Sequence, residues 1–152
     1  MSSKIDLRRA SLAEIIDLRH LVLRAGLPRE TAVFPGDELA TSRHYGAFVP
    51  SGASNRTVGC ATLHLNQWEA EAAWQLRGMA TADDFRGKGL GRAMLELADR
   101  ELLDDSSAPR LLWCNARVPA MGFYQLLGWK VVSEAFEIPT AGPHVRMVRR
   151  IG

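Results

Sequence analysis

Asp83-Asp84-Phe85-Arg86-Gly87-Lys88-Gly89-Leu90-Gly91-Arg92 is the stretch on which the reading of this chain turns. An apolar-rich run, Trp74 to Ala80, precedes it, and an amphipathic segment, Ala93 to Leu103, follows. Strand, glycine-rich turn and helix in that order leave bare backbone at a helix N-terminus, where the first N–H groups have no partner inside the helix. The helix dipole adds partial positive charge at the same point. Glycine permits left-handed turns and close approach of a ligand, and Arg86, Lys88 and Arg92 add formal charge. The combination predicts an anion site suited to phosphate or pyrophosphate. Two common phosphate loops do not fit the spacing. A P-loop requires G-x-x-x-x-G-K-[ST], whereas Lys88 precedes Gly89 and is not followed by Ser or Thr. The dinucleotide fingerprint G-x-G-x-x-G accepts Gly87 and Gly89, but its last glycine would fall at Arg92 and arrives early, at Gly91.

Outward from the loop, the rest of the chain alternates strand and helix patterns. Lys4 to Arg9 alternates polar and apolar, which predicts a first strand. Ser11 and Glu14 form a capping box for a helix whose apolar stripe is Leu12, Ile15, Ile16 and Val22, ended by Gly26 and Pro28. A loop with Pro28 and Pro35 leads to a short second helix over Asp37 to Arg43. Strands over His44 to Val49 and Val58 to Leu65 follow, joined by the turn-rich Pro50 to Asn55. The central strand, Ala73 to Ala80, feeds the glycine loop. The next helix, Arg92 to about Leu103, shows Met94, Leu95, Ala98 and Leu102 on one face. Leu111 to Cys114 reads as a strand buried on both faces. Pro119 opens a last helix that Gly128 closes. Trp129 to Ile138 and Val145 to Ile151 complete the strands. The predicted order is β-α-α-β-β-β-α-β-α-β-β, an α/β (α+β) mixed sheet of about seven strands with about four helices, in a single domain over residues 1–152.

Composition sets bounds on partners. Apolar residues make up 47% of the chain, enough for a sizeable core. A net charge of +2 with scattered basic residues argues against a nucleic-acid partner. No apolar leader core stands in Met1 to Asp6 and no run approaches a membrane span, so a cytoplasmic protein without a membrane partner is expected. Cys60 and Cys114 sit inside apolar runs and read as buried, reduced thiols. Two cysteines do not make a zinc site, and no metal is expected.

What stands at the loop, Arg86-x-x-Gly89-x-Gly91, resembles the acetyl-CoA-binding signature of the GNAT N-acetyltransferases. A second motif agrees. The family carries A-x-x-x-Y-x-x-x-G-[FW] on the helix after its fifth strand, matched by Ala120, Tyr124, Gly128 and Trp129. The element order is also the family's, so the resemblance covers nearly the whole chain. It implies a GNAT-like acyl-CoA N-acyltransferase fold and acetyl-CoA as cofactor. It further implies that Arg86, Gly87, Lys88, Gly89, Leu90, Gly91 and Arg92 hold the pyrophosphate. Met79, Ala80 and Thr81, at the splayed end of the central strand, would pair with the cofactor's amide arm and supply oxyanion donors. Gly78 is placed to permit a bulge there. Tyr124 would lie beside the sulfur. Two departures stand out. Arg117 occupies a place that is often asparagine, although Asn115 stands two residues away and is a candidate cofactor contact. The central strand, Trp74-Gln75-Leu76-Arg77-Gly78, has no carboxylate to act as a base.

Acetyl transfer to an amine makes three demands: stabilisation of the carbonyl oxygen as it gains charge, a proton for the leaving thiolate, and a neutral amine. Tyr124 is the candidate acid; the competing reading is a core tyrosine bonded to a backbone carbonyl. An alkyl ammonium has a pKa near 10.4, so a base or a desolvating site is needed. Glu69 and Glu71 before the central strand, His44 and His144 are candidates, with Glu69 and His144 taken as the catalytic ones; each alone is more often a solvated surface residue. His64 reads as structural. Trp68 either lines the acceptor site or packs in the core. Arg77 either holds a substrate carboxylate or pairs with Glu69 or Glu71, the pairing being preferred. Arg146, Arg149 and Arg150 are expected to guard a sheet edge, an exposed strand that would support a homodimer. The acceptor is a small-molecule or peptide amine. Two rivals stay open: a non-catalytic acyl-CoA-binding or sensing module, and a nucleotide-binding domain of another kind.

Overall fold

The computed structural model describes residues 4–152; Met1 to Ser3, part of the N-terminal segment read for a leader, lie outside it. The alternating start of the chain forms β1 (Asp6–Ala10). Ser11 then caps α1 (Leu12–Leu23): its hydroxyl accepts from the Glu14 N–H, and the Glu14 carboxylate accepts from the Ser11 N–H at 2.9 Å. β2 (Arg43–Ser51) and β3 (Ser54–Leu65) form a hairpin, and β4 (Trp74–Thr81) is the central strand. α2 (Leu90–Leu103) follows the glycine loop and buries Met94, Leu95, Ala98 and Leu102, the face expected from its period. β5 (Leu111–Arg117) leads through a 3₁₀ turn at Val118–Ala120 into α3 (Met121–Leu126). The chain closes with β6 (Lys130–Val131), β7 (Phe136–Ile138) and β8 (Gly142–Arg150).

The strands form one mixed sheet in the order β1-β2-β3-β4-β5-β8-β6, with β7 also paired to β8. All pairs are antiparallel except β4 with β5. The largest core cluster joins Leu112, Cys114 and Ala116 of β5 to Leu95, Ala98 and Leu102 of α2 and to Tyr124 and Trp129. A second joins Ile15 and Leu18 of α1 to Val58 and Cys60 of β3 and Leu90 and Met94 of α2.

Three expectations about the elements are corrected. Asp37 to Thr41 is a run of turns and Arg43 already begins β2, so Asp37 to Arg43 is not a helix. The backbone closes separate turns, with the N–H groups of Asp37, Leu39 and Ser42 donating to the carbonyls of Phe34, Gly36 and Leu39, and the side chains of Asp37 and Ser42 bond the Phe34 N–H and the Gly36 carbonyl at 2.6 Å each. Trp129 to Ile138 is not one strand. Ser133 Oγ accepts from the Arg146 N–H at 2.8 Å, taking the place of a backbone partner between β6 and β7. The last strand is not an edge, because β6 and β7 cover its outer side. Arg149 instead pairs with Asp99 at 2.6 Å and Arg150 with Glu71 at 2.6 Å, so the premise for a homodimer through that edge falls. Among the described residues there are eight strands and three α-helices, against about seven and four expected.

Candidate active site

The central strand changes character halfway. Trp74, Gln75 and Leu76 pair in parallel with Leu112, Trp113 and Cys114, and there the pairing stops, although β5 continues to Arg117 and β4 to Thr81. On the β3 side the register shifts between Cys60↔Ala80 and Thr62↔Arg77, which inserts one extra residue into β4. Gly78 takes a left-handed φ of +64° at that bulge, as the sequence led us to expect. The bulge bends β4 away from β5. A wedge opens in which the backbone of Arg77 to Thr81 faces no strand on the β5 side.

Tight packing holds the bulge in place. A Cβ on Gly78 would lie 2.6 Å from Arg19 Nε, and Arg19 cannot yield. Its guanidinium is fully buried, donates to Asp37 at 2.6 Å, to Thr62 Oγ1 at 2.8 Å and to the Ala32 carbonyl at 2.9 Å, and lies 4.4 Å from the centre of the Phe34 ring. His44 belongs to the same network. Its Nε2 faces the Asp37 carbonyl at 2.9 Å and must carry the proton, which leaves Nδ1 to accept from Thr62 Oγ1 at 2.8 Å. Both ring nitrogens are committed, and burial pushes the pKa below its ordinary value. His44 is therefore a structural member of this network. His64, expected to be structural, packs its ring where a Cβ on Gly36 would stand, 2.2 Å away. Cys60 and Cys114 are buried free thiols, each pushed up to about 12 by burial.

Two cavities open from the wedge. The larger, about 810 Å³, runs along the glycine loop and is lined by Met79, Ala80 and Thr81 of β4, by Arg86, Gly87, Gly89, Leu90, Gly91 and Arg92, and by Tyr124. Ten of the predicted cofactor residues thus share one groove. Gly89 is the N-cap of α2 at φ +78°, and no side chain caps the helix, so its first N–H groups face the groove. Nothing lies within 4 Å of a Cβ built on Gly87 or Gly89, which leaves open space over the amides. Lys88 and Asn115 do not line the groove. Lys88 places Nζ 4.9 Å from the centre of the Phe85 ring. The charges of Arg86 and Arg92 are partly met by Asp83 at 3.1 Å and Glu96 at 2.7 Å.

The smaller cavity, about 220 Å³, lies on the other side of the wedge. Asn115 lines it, together with His144, Arg24, Arg77 and Phe34. Leu23, Met79, Arg117, Ala120 and Tyr124 line both cavities and form the passage between them. Tyr124 is buried there, its ring edge-on to Trp129 at 5.5 Å. Its hydroxyl finds no carbonyl; it points at Met79 Sδ, 3.6 Å away, a weak acceptor. Burial, with a smaller contribution from Cys114, pushes the phenol above its ordinary pKa and keeps the proton on it. His144 is buried as well, with Nδ1 2.8 Å from the Gly142 carbonyl. A carbonyl only accepts, so Nδ1 carries a proton, and in the neutral ring Nε2 is the acceptor.

The glutamates are not brought to this place. Glu69 sits at φ +47° on the tip of the Trp68–Glu71 hairpin, at the N-terminal end of β4. The strand's eight residues, roughly 25 Å of chain, separate it from the glycine loop. Glu71 is held by Arg150. Trp68 packs on Trp113 at 5.3 Å at the same end, not at the acceptor mouth. Arg77 pairs with neither glutamate; it donates to the Pro35 carbonyl and lies 3.5 Å from Asp37. Sequence reasoning missed Arg24 and Phe34, which a sequence-distant segment carries to the cavity. Arg24 is the C-cap residue just past α1 and Phe34 stands in the loop beyond it, and no motif marks either.

A family model described as Acetyltransferase (GNAT) family matches residues 15–129. The chain is 29% identical over 147 residues to the uncharacterized N-acetyltransferase YitI of Bacillus subtilis, covering 97% of each. In fold it is similar to an acyl-CoA N-acyltransferase from Pseudomonas aeruginosa, with a TM-score of 0.70, 18% identity and coverage of 97% of this chain and 99% of the other. It is similar too to an aminoglycoside 6'-N-acetyltransferase solved with coenzyme A, with a TM-score of 0.70, 12% identity and coverage of 95% and 96%. No helix among the described residues is long and apolar enough to cross a membrane.

Proposed function

The chain belongs to the GNAT acetyltransferase family, and from that premise we propose that it moves an acetyl group from acetyl-CoA directly to an amine in the wedge between β4 and β5, with Tyr124 as the acid. The carrying observation is the shared wall: Met79, Ala120 and Tyr124 face both the glycine-loop groove and the small cavity. Two substrates seated on either side would meet at the tyrosine hydroxyl.

The residues present fit the cofactor. Uncapped amides at the start of α2 and open space over Gly87 and Gly89 suit a pyrophosphate, and the strand-free side of Met79 to Thr81 suits an amide-bearing arm. When bound, acetyl-CoA supplies the activated acetyl thioester. The N–H groups along Met79 to Thr81 stabilise the oxygen that gains charge; removing one such donor costs about 2.7–4 kcal/mol in other enzymes. Tyr124 O–H, whose one partner among the described residues is the weak acceptor Met79 Sδ, gives its proton to the departing sulfur. His144 lines the small cavity, and Nε2 of its neutral ring takes the amine's proton. Glu69 has no part, since it lies at the far end of the strand. Amine-dependent release of coenzyme A, followed with a thiol reagent over a panel of amines, tests the proposal. Release that requires both amine and protein supports it; no amine-dependent release across the panel overturns it.

A further inference from the structure

The small cavity is cationic. Arg24, Arg77 and Arg117 all line it, and the buried Arg19 lies behind Phe34. Among the described residues, Asp37 is the one carboxylate within ion-pair distance of any of these four guanidiniums, and Arg19 already holds it at 2.6 Å, with Arg77 at 3.5 Å. No carboxylate pairs with Arg24 or Arg117. The lining includes no Asp or Glu at all. Arg24 spends one N–H on the Leu23 carbonyl at 3.0 Å. Burial, then Arg117 and then Arg19, pull its pKa below the ordinary arginine value, the mark of a cation crowded by cations. The ring of Phe34 carries Arg19, Arg24 and Arg77 at 4.4, 5.1 and 5.6 Å from its centre, which fixes the guanidinium positions at the cavity wall.

An acceptor site of this kind does not suit a polyamine or any other polycation. It suits an anion that uses the idle N–H donors of Arg24 and Arg117. Beside Arg117 the same cavity offers the opposite chemistry: Asn115, two residues earlier on β5, has Oδ1 buried without a partner among the described residues, and His144, the cross-strand partner of Arg117, has an Nε2 that accepts in the neutral ring. Both accept N–H. At about 220 Å³ the cavity also falls below the roughly 300–1,000 Å³ of pockets that hold drug-sized ligands. We propose, resting on the acetyltransferase reading above, that the acceptor is a small free amino acid, whose carboxylate is bound by Arg24 and Arg117 while its amine faces Asn115 and His144. Guanidinium forks match a carboxylate with two parallel hydrogen bonds, which gives orientation as well as affinity.

The test compares acids with their neutral twins. Glycine, alanine, leucine, methionine, phenylalanine, glutamate and β-alanine are assayed as acceptors beside their carboxamides and beside spermidine. At least one acid is expected to exceed its carboxamide by about tenfold or more in kcat/KM, with spermidine poorer still. Arg24→Gln is expected to raise KM for that acid about tenfold while kcat, the KM for acetyl-CoA and turnover of the carboxamide stay within about twofold, so the acid preference collapses. Arg24→Lys, which keeps charge but loses the fork, should recover part of it. Carboxamides or spermidine used as well as the acids overturn the proposal, as does an acid preference that survives Arg24→Gln. If no amine is acetylated, calorimetric titration of the CoA-saturated protein with the same pairs decides. Binding of an acid but not its carboxamide keeps the proposal while the transfer reading fails; equal or absent binding ends both.

Discussion

Along β4, Trp74 to Leu76 hydrogen-bond to β3 on one side and β5 on the other, whereas Arg77 to Thr81 keep only β3. The first half is built like ordinary core. Trp74 and Leu76 are buried and the nearby charges, Glu71 and Arg150, pair on the surface. The second half is bulged, borders two cavities and rests on a buried arginine. The same strand thus serves stability at one end and leaves its backbone free for ligands at the other. The lesson is that a bulge at one glycine, held by one buried ion pair, decides where the sheet stops pairing with itself.

The largest expected effect comes from removing the support of the open half. Asp37→Ala leaves Arg19 buried without its counter-charge and takes a partner from Arg77, and should lower unfolding free energy by about 3–5 kcal/mol in urea titration. A loss under 1 kcal/mol would show that the bulge does not depend on this pair. Gly78→Ala is next. It requires a left-handed alanine and a Cβ within 2.6 Å of Arg19, and should cost about 1–3 kcal/mol and depress turnover; full activity would separate the bulge from the chemistry. Gly89→Glu comes third. Space over the residue is open, so unliganded folding should survive, with strain of about 1–2 kcal/mol for the left-handed backbone. A carboxylate at the helix start should nevertheless weaken acetyl-CoA binding by about tenfold or more, as read by calorimetry. The smallest effects belong to the paired end. Glu69→Gln and Glu71→Gln should leave kcat unchanged and the unfolding midpoint within error, because both side chains are exposed and far from the wedge. A drop in kcat for Glu69→Gln would restore it as a base and break the contrast between the two halves.

Much of the open half was legible from the sequence because it depends on local chemistry. Gly87, Gly89 and Gly91 announce left-handed turns and close approach, Gly78 announces a bulge, and Ala120 to Gly128 places Tyr124 one turn after Ala120. Gly128 ends α3 at φ +91° with the Trp129 N–H returned to the Tyr124 carbonyl, as its position implied. What the sequence hid is long-range. Arg19 sits on the apolar face of α1, where a period-based reading passes over a charge, and its partner Asp37 lies in a segment that reads as a helix but folds as separate turns. Arg24, Arg77 and Arg117 lie on three different elements, so their convergence is a product of the sheet order. Glu69 was chosen because it adjoins the central strand, but adjacency in sequence placed it at the wrong end.

The central claim is that Tyr124, in the wall between the two cavities, gives its proton during transfer. The direct test is Tyr124→Phe, with kcat and the acetyl-CoA dissociation constant measured together. Loss of a general acid predicts a fall in kcat of about 10²–10⁴-fold with cofactor affinity unchanged, since the ring and its contacts with Phe123 and Trp129 remain. The wild-type protein should keep its activity up to about pH 10, because burial holds the phenol proton above that range. A Tyr124→Phe protein that turns over like the wild type would contradict the account.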